Sequence, residues 1–475
     1  MYQVFIITKK ELRVAFRNKQ IIITGILISV LLLIAGAGGF LNYKMQKDEV
    51  AVAQKEKRQQ WLEQGNKHPH IAAHFGTFVF KPKTALSFFD FGVDSYTGSS
   101  IYLEAHYQHE FMFRPAQDFG AMIRFGELSI ALVLQILIPL LIIFLAFSSF
   151  TGEREHGTLR ILLSQGVPLR AIIQGKILAY NIVVFSLLLP TLTLLFVGIF
   201  MPFEIEFTTE VFLRLIILVL SYILYFFIFI VLAVWISSKS VNSGKSLLTL
   251  LSIWIVLTII LPKTTASIAS EAYPLPSLNA YQQQIKNDIN SRIERNPLKD
   301  EVIVHLTRQL LTEYKVREVS QLPINYEAAC AQAYEDFGNR IHDKHTLGLQ
   351  EVLVKQNRVS KYLSLLDPYL AVRNISMSLS ATDFATYTDF QTSAENYRRK
   401  MVRMMNMDYR DHSKTGEFYE YKASRSLWEA VPDFNYKTPD IIFPLENCLF
   451  EIIALLAWAV SAFLLVSFSF NKMIL

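Results

Sequence analysis

The stretch FTGEREHGTLRILLSQGVPLRAIIQGK, residues 150–176, decides how this chain is read. It lies between two apolar runs, each of the roughly 20 residues a helix needs to cross a hydrocarbon layer of about 30 Å. Yet it carries Glu153, Arg154, Glu155, Arg160, Arg170 and Lys176, more charge than a simple turn requires. Working outward, six apolar runs can be counted: residues 21–41, 128–150, 177–200, 212–236, 247–261 and 445–468. The fifth is the shortest, because Pro262 is expected to stop it. At 475 residues, 52% hydrophobic, 18% charged and a mean hydropathy of +0.30, the chain is too apolar for a soluble protein and too charged to be wholly embedded. The expectation is a mainly α membrane protein, with six transmembrane helices and a composite, mostly helical extracytoplasmic domain.

The first run follows a basic start and contains AGAGG, so a cleaved signal peptide is a rival reading. The run exceeds an h-region of about 7–15 residues, which favours an uncleaved helix. Orientation follows from the excess of Lys and Arg in short cytoplasmic loops. Lys9, Lys10, Arg13, Arg17 and Lys19 precede the first run, Arg154, Arg160, Arg170 and Lys176 follow the second, Lys239 and Lys245 follow the fourth, and Lys472 is in the tail. The segment MPFEIEFTTEV, after the third, has Glu204, Glu206 and Glu210 and no base. Both termini and the 151–176 loop are therefore expected in the cytoplasm, with residues 42–127 and 263–443 outside. The net charge of +5 is then mostly topology, and nucleic-acid binding is disfavoured. Cys330 and Cys448 build no disulfide framework, a single bridge between them being the alternative.

The first insertion opens with a polar segment of helical character that continues the first run. Its aromatic, Gly/Ser-punctuated remainder suggests loops and short strands. The second insertion reads as helices at about 278–295, 299–318, 326–366 and 390–410, punctuated by Pro297, Pro323 and Pro368. No internal repeat or low-complexity linker is evident. Residues 1–20 place Phe5, Leu12 and Phe16 near one helical face and Lys9, Lys10, Arg13 and Arg17 largely off it. Such a segment suits a cytoplasmic interfacial helix, the alternative being an ordinary basic flank.

Motifs with chemistry are few. SVNSGKSLL, residues 240–248, contains GKS, but Lys239 stands where a phosphate loop needs Gly, and the stretch follows a span, so nucleotide binding is not expected. The spans are almost free of ionisable groups, which disfavours a self-powered transporter. Arg214 is near an end, and Glu446 and Glu451 at the outer edge of the last span are candidates for an outer vestibule or for pairing near the interface. His68, His70 and His74 are weak metal candidates beside the plainer reading of loop or surface histidines; His106 and His109 lie in the same insertion. Met401, Met404, Met405 and Met407 read as a packing face before soft ligands. Neither a catalytic residue nor a cofactor bound by this chain is expected.

In the opening stretch, Thr151-Gly152 offers a helix N-cap, and Glu153 and Glu155 fall in the first turn, where the helix dipole favours anions. Leu159, Leu162 and Leu163 share a side, Gly166 ends the element, and Pro168 sits where helix-first prolines sit. The pattern resembles the cytoplasmic loop of type 2 ABC transporter permeases, with their succession of Gly-Glu-Arg-Glu, Gly-Thr, Leu-Leu and Pro. The outer segments at 88–106, 367–401 and 427–439 are similar to the large periplasmic insertions of a bacterial subfamily related to multicopper-enzyme maturation permeases. The resemblance implies a homo- or heterodimeric permease of the bacterial inner membrane, in contact with lipid. Each permease would dock on a separate cytoplasmic ATPase subunit holding ATP and Mg. The loop would be its coupling helix. Glu153, Arg154 and Glu155 would make polar contacts with that ATPase, Leu159, Leu162 and Leu163 apolar ones, with Gly157 and Thr158 at the docking turn. It implies outward movement or extraction of a substrate, and its copper connection is a weak inheritance. The alternatives are a non-transporting mechanotransmission or sensor subunit acting on a periplasmic partner, and an ectodomain enzyme on a membrane anchor.

Overall fold

The computed structural model describes residues 2–112, 128–200, 207–291, 300–417 and 420–469, leaving aside the side chains of 109–112, 200 and 469. Helix α1 (Tyr2–Arg17) ends at Asn18, whose side chain accepts from the Gln20 amide at 3.0 Å and so caps α2 (Lys19–Leu62). At 44 residues α2 is about 66 Å long, twice the hydrocarbon thickness. Its apolar first half is thus continuous with its polar second half. After α3 (Pro69–Phe75), strands β1 (Thr77–Phe80), β2 (Ser100–Leu103) and β3 (Gln108–Met112) form an antiparallel sheet in the order β1-β2-β3.

The second long apolar helix, α4 (130–146), contains a π-helical segment, Val133–Leu137. Two short helices, α5 (Thr151–Glu155) and α6 (Thr158–Ser164), lead to α7 (Leu169–Phe200) and α8 (Thr209–Lys239). Helix α9 (Ser243–Ala272) contains a second π segment, Val256–Ile260. The second insertion supplies α10 (Leu278–Asn290), α11 (Glu301–Glu313), α12 (Tyr326–Leu363), α13 (Pro368–Leu379), α14 (Phe384–His412) and α15 (Arg425–Ala430), before α16 (Ile442–Ser469). Among the described residues, six helices are long and apolar enough to cross a membrane: α2, α4 with α5, α7, α8, α9 and α16. The fold is that of a mainly α membrane protein.

Two expectations need correcting. Pro262 does not stop its helix, which runs on to Ala272 through the π segment just before it. Pro139 follows the π segment of α4 in the same way, so VLQILIP (133–139) and VLTIILP (256–262) form a short echo. A proline removes the amide that would bond the carbonyl four residues back, and π segments redistribute such bonds. In α4 the carbonyl concerned is that of Gln135. It accepts instead from the Tyr225 hydroxyl at 2.8 Å, and the neighbouring Ile136 carbonyl accepts from Trp254 Nε1 at 3.2 Å.

Pro368 likewise begins a helix that sequence periodicity did not bring out. Asp367 is the N-cap, its carboxylate accepting from the Tyr369 amide at 2.9 Å, with Pro368 in the first turn. Tyr369, Leu370, Ala371, Val372, Ile375 and Leu379 of α13 are all buried, in the same apolar core as α4, α8 and α16. Arg214 closes the other end of α13, donating to the Leu379 carbonyl at 3.3 Å and to that of Pro439 at 2.7 Å.

Away from this core the two insertions form one lobe. Trp61 Nε1 donates to the Trp428 carbonyl at 3.0 Å, and both rings pack with Met401 and Met405. Val79, Ile101 and Leu103 of the sheet pack on Phe390 and Ala394 of α14. Met401, Met404 and Met405 are packing residues here. Cys330 and Cys448 are free.

Candidate functional site

At one end of the bundle the 150–176 stretch is fastened by its own charges. Glu153 lies between Lys10, with which it is hydrogen-bonded, and Lys176, at 3.1 Å. Lys176 also donates to Glu11 at 2.8 Å and lies over the Phe150 ring, 5.4 Å from its centroid. With its side chain only 1% exposed, Lys176 is the centre of a neutral quartet of two acids and two bases. Burial disfavours the charge on Glu11, but Lys176 and Lys10 beside it outweigh that and hold its carboxyl below the usual range. Helix α1 approaches α7 closely at Gly175, where an added Cβ would lie 2.7 Å from Ile7, and the Thr8 hydroxyl donates to the Gly175 carbonyl at 3.1 Å.

The next two residues reach other helices. Arg154 donates to the carbonyls of Ser240 at 2.5 Å and Ser238 at 3.0 Å, satisfying the carboxyl end of α8. Glu155 accepts from the Ser243 amide at 2.7 Å and its hydroxyl at 3.0 Å, at the amino end of α9. The Gly-Glu-Arg-Glu run therefore ties α1, α7, α8 and α9 together. The helix start also differs from the sequence reading: Phe150 occupies the N-cap position without a side-chain bond, Thr151 is buried beside Ser243, and Glu155 ends α5.

Gly157, with φ of 75°, turns the chain from α5 into α6 in a conformation other residues seldom adopt. Leu159 faces inward and is buried, Leu162 and Leu163 are half-buried, and Thr158, Arg160 and Ile161 face out, Ile161 at 56% exposure. The GKS stretch has a structural part: Asn242 caps α9, accepting from the Lys245 amide at 2.9 Å.

At the opposite end a polar chain crosses the apolar core. Gln135 Nε2 donates to the Tyr222 hydroxyl at 3.0 Å, that hydroxyl to Ser376 at 3.2 Å, and Ser376 to Asp90 at 2.5 Å. It joins the π segment of α4 to α8, α13 and the first insertion. Burial raises the Asp90 carboxyl above its usual range, against the Ser376 and Gly92 hydrogen bonds. Burial also pushes Asp367 up to about 7. Glu451 is buried behind α13, accepting from Asn374 Nδ2 at 3.3 Å with Lys361 3.9 Å away; Glu446 is exposed.

The histidines sort differently from their order in the sequence. His68 caps α3, its Nδ1 accepting from the His70 amide at 3.2 Å, and its ring packs on Tyr409 with centroids 4.1 Å apart. Burial and the neighbouring His70 lower it to about 4. His70 and His74, one turn apart on α3, are joined by His106 from the β2–β3 turn. One ring nitrogen of each lies within 4.8 Å of the others. His109 lies outside the described side chains. The sequence placed His68, His70 and His74 together and His106 elsewhere in the same insertion, 32 residues beyond His74; the strand pairing brings His106 to His70 and His74.

Six long apolar helices with a shared core, laced at one end by loop charges and capped at the other by α13, define a multi-pass membrane protein. The chain belongs to the ABC-2 family of transporter proteins, whose family model matches residues 5–475. It is thus a permease of the ABC transporter class, a membrane transport component that works with an ABC ATPase subunit. A search of curated proteins finds no match.

Proposed function

We propose that this permease receives work from a separate cytoplasmic ATPase through the α5–α6 loop and uses it to move a substrate outward or extract it from the membrane. The supporting observation is the fastening of that loop: contacts from residues 153–155 and Lys176 reach four other helices, so a push on α6 is felt across the bundle. Glu153, Arg154 and Glu155 then transmit force within the permease. The docking surface is Thr158, Arg160 and Ile161 with the half-buried Leu162 and Leu163, over Leu159 and the Gly157 turn. ATP and Mg belong to the ATPase. A basic first loop, α1 included, sets both termini in the cytoplasm of a bacterial inner membrane, with the lobe outside. The permease works as a homo- or heterodimer, and its ectodomain is that of the subfamily with large insertions. A second reading, mechanotransmission to a periplasmic partner, is favoured by α2, one unbroken helix from the bundle into the lobe.

The test is co-purification of the ATPase from native membranes with an Ile161→Asp/Arg160→Glu variant. Loss of the ATPase with unchanged permease stability is expected. Undiminished recovery would sink the proposal.

A further inference from the structure

We infer that His70, His74 and His106 form a divalent transition-metal site at the seam between the two insertions, with Zn²⁺ as the ion. Three features carry this. The ring centroids form a near-equilateral triangle, 4.9, 5.2 and 4.9 Å on its sides, so the imidazoles converge instead of stacking in a row. Zinc at about 2.0–2.1 Å from each nitrogen would bring the ligand nitrogens to roughly 3.4 Å apart. From within 4.8 Å that takes small side-chain rotations. His74 and His106 are exposed, so an ion can reach them.

Two rings are also held by their other nitrogen in the manner of metal-ligating histidines. His106 Nδ1 donates to the Glu335 carboxylate, which accepts from the His106 amide as well, at 2.7 Å. Since Asn406 Nδ2 donates to Gln332, its Oδ1 is the acceptor for His70 Nδ1, at 3.3 Å. Both arrangements leave Nε2 unprotonated, with its lone pair available to a metal, and such outer partners orient the ligand and raise its basicity.

The backbone supplies the third feature. His106 has φ of 68°, an uncommon left-handed conformation for a residue with a side chain, and the preceding Ala105 amide donates to the Ala73 carbonyl at 3.1 Å, fixing the turn beside α3. Three imidazoles with one position open is a donor set for zinc, and borderline nitrogen ligands also suit copper. The ligands come from the first insertion and their outer partners, Glu335 on α12 and Asn406 on α14, from the second, so the bound ion would cross-brace the lobe.

The experiment is titration calorimetry of the full-length permease, purified in detergent with a histidine-free tag and stripped by chelator, with Zn²⁺, and separately with Cu²⁺ followed by electron paramagnetic resonance. One Zn²⁺ per chain is expected, accompanied by a rise in melting temperature. Affinity should fall at least 100-fold in His74→Ala/His106→Ala and about 10- to 100-fold in Glu335→Gln, with one-to-one stoichiometry kept in the latter. Cu²⁺ binding without Zn²⁺ binding would retain the site and overturn the ion. No binding, or binding unaltered in the double variant while its melting temperature without metal matches wild type, would overturn the site.

Discussion

Replacing Lys176 by Met tests whether the loop is held by a buried charge quartet. The substitution keeps most of the side chain's apolar length beside Phe150 and removes the ammonium that lies 2.8 Å from Glu11 and 3.1 Å from Glu153. Those carboxylates, whose side chains are only 7% and 11% exposed, then keep Lys10 as their remaining countercharge, itself 48% exposed, beside the Tyr180 hydroxyl that donates to Glu11 at 3.4 Å. Breaking a buried pair on one side costs about 3–5 kcal/mol, and the remaining lysine places this case near the lower end, about 3 kcal/mol. Adding Glu11→Gln restores neutrality, so the double variant should recover about 2 kcal/mol relative to the sum of the single changes. Denaturant unfolding in mixed micelles, followed by tryptophan fluorescence, reads both numbers. The sign with pH is also fixed. A carboxyl held below its usual value of 4.5 contributes stability that is complete above that pH and is lost as pH falls through the depressed value. The wild type should lose this increment in acid and Lys176→Met should not. A loss below about 1 kcal/mol in the single variant, or strict additivity in the double, would refute the reasoning.

Asp367→Asn keeps the cap on α13 while removing a carboxyl that burial pushes up to about 7. A raised carboxyl stabilises the fold below its ordinary range and loses that contribution as pH rises to about 7, so the variant should gain on wild type between pH 5 and 8. The gain is at most about 4 kcal/mol, a tenfold change in proton affinity being worth about 1.4; equal stability profiles would count against it. Tyr225→Phe should cost about 1–3 kcal/mol by orphaning the Gln135 carbonyl next to Pro139, and Tyr225→Phe/Pro139→Ala should recover part of it in the same unfolding assay. Gly175→Val should separate α1 from α7, seen as new protease cleavage within residues 2–17, because its Cβ would fall 2.7 Å from Ile7.

The helical class and the six long apolar helices were legible because apolar length is a one-dimensional signal. What sequence periodicity lost was set by partners far along the chain. Pro262 read as a stop because a proline's missing amide is visible in sequence, while the π segment that accommodates it is not. Asp367-Pro368 read as punctuation although an N-cap followed by a helix-first proline was the available signal for α13. The charges of residues 153–155 were conspicuous, but apart from Lys176 the partners described for them, Lys10, Ser238, Ser240 and Ser243, lie 84 or more residues away. His106 needed a strand pairing to meet His70 and His74.

The unbroken α2 also makes the lobe a place where small angles become large displacements. A rod of about 66 Å that tilts by about 5° carries its far tip some 6 Å, more than the rise of a helical turn. Trp61 sits at that tip, locked to Trp428. A slight rocking of the first apolar helix would therefore act as a lever arm whose long end is already bolted to the second insertion.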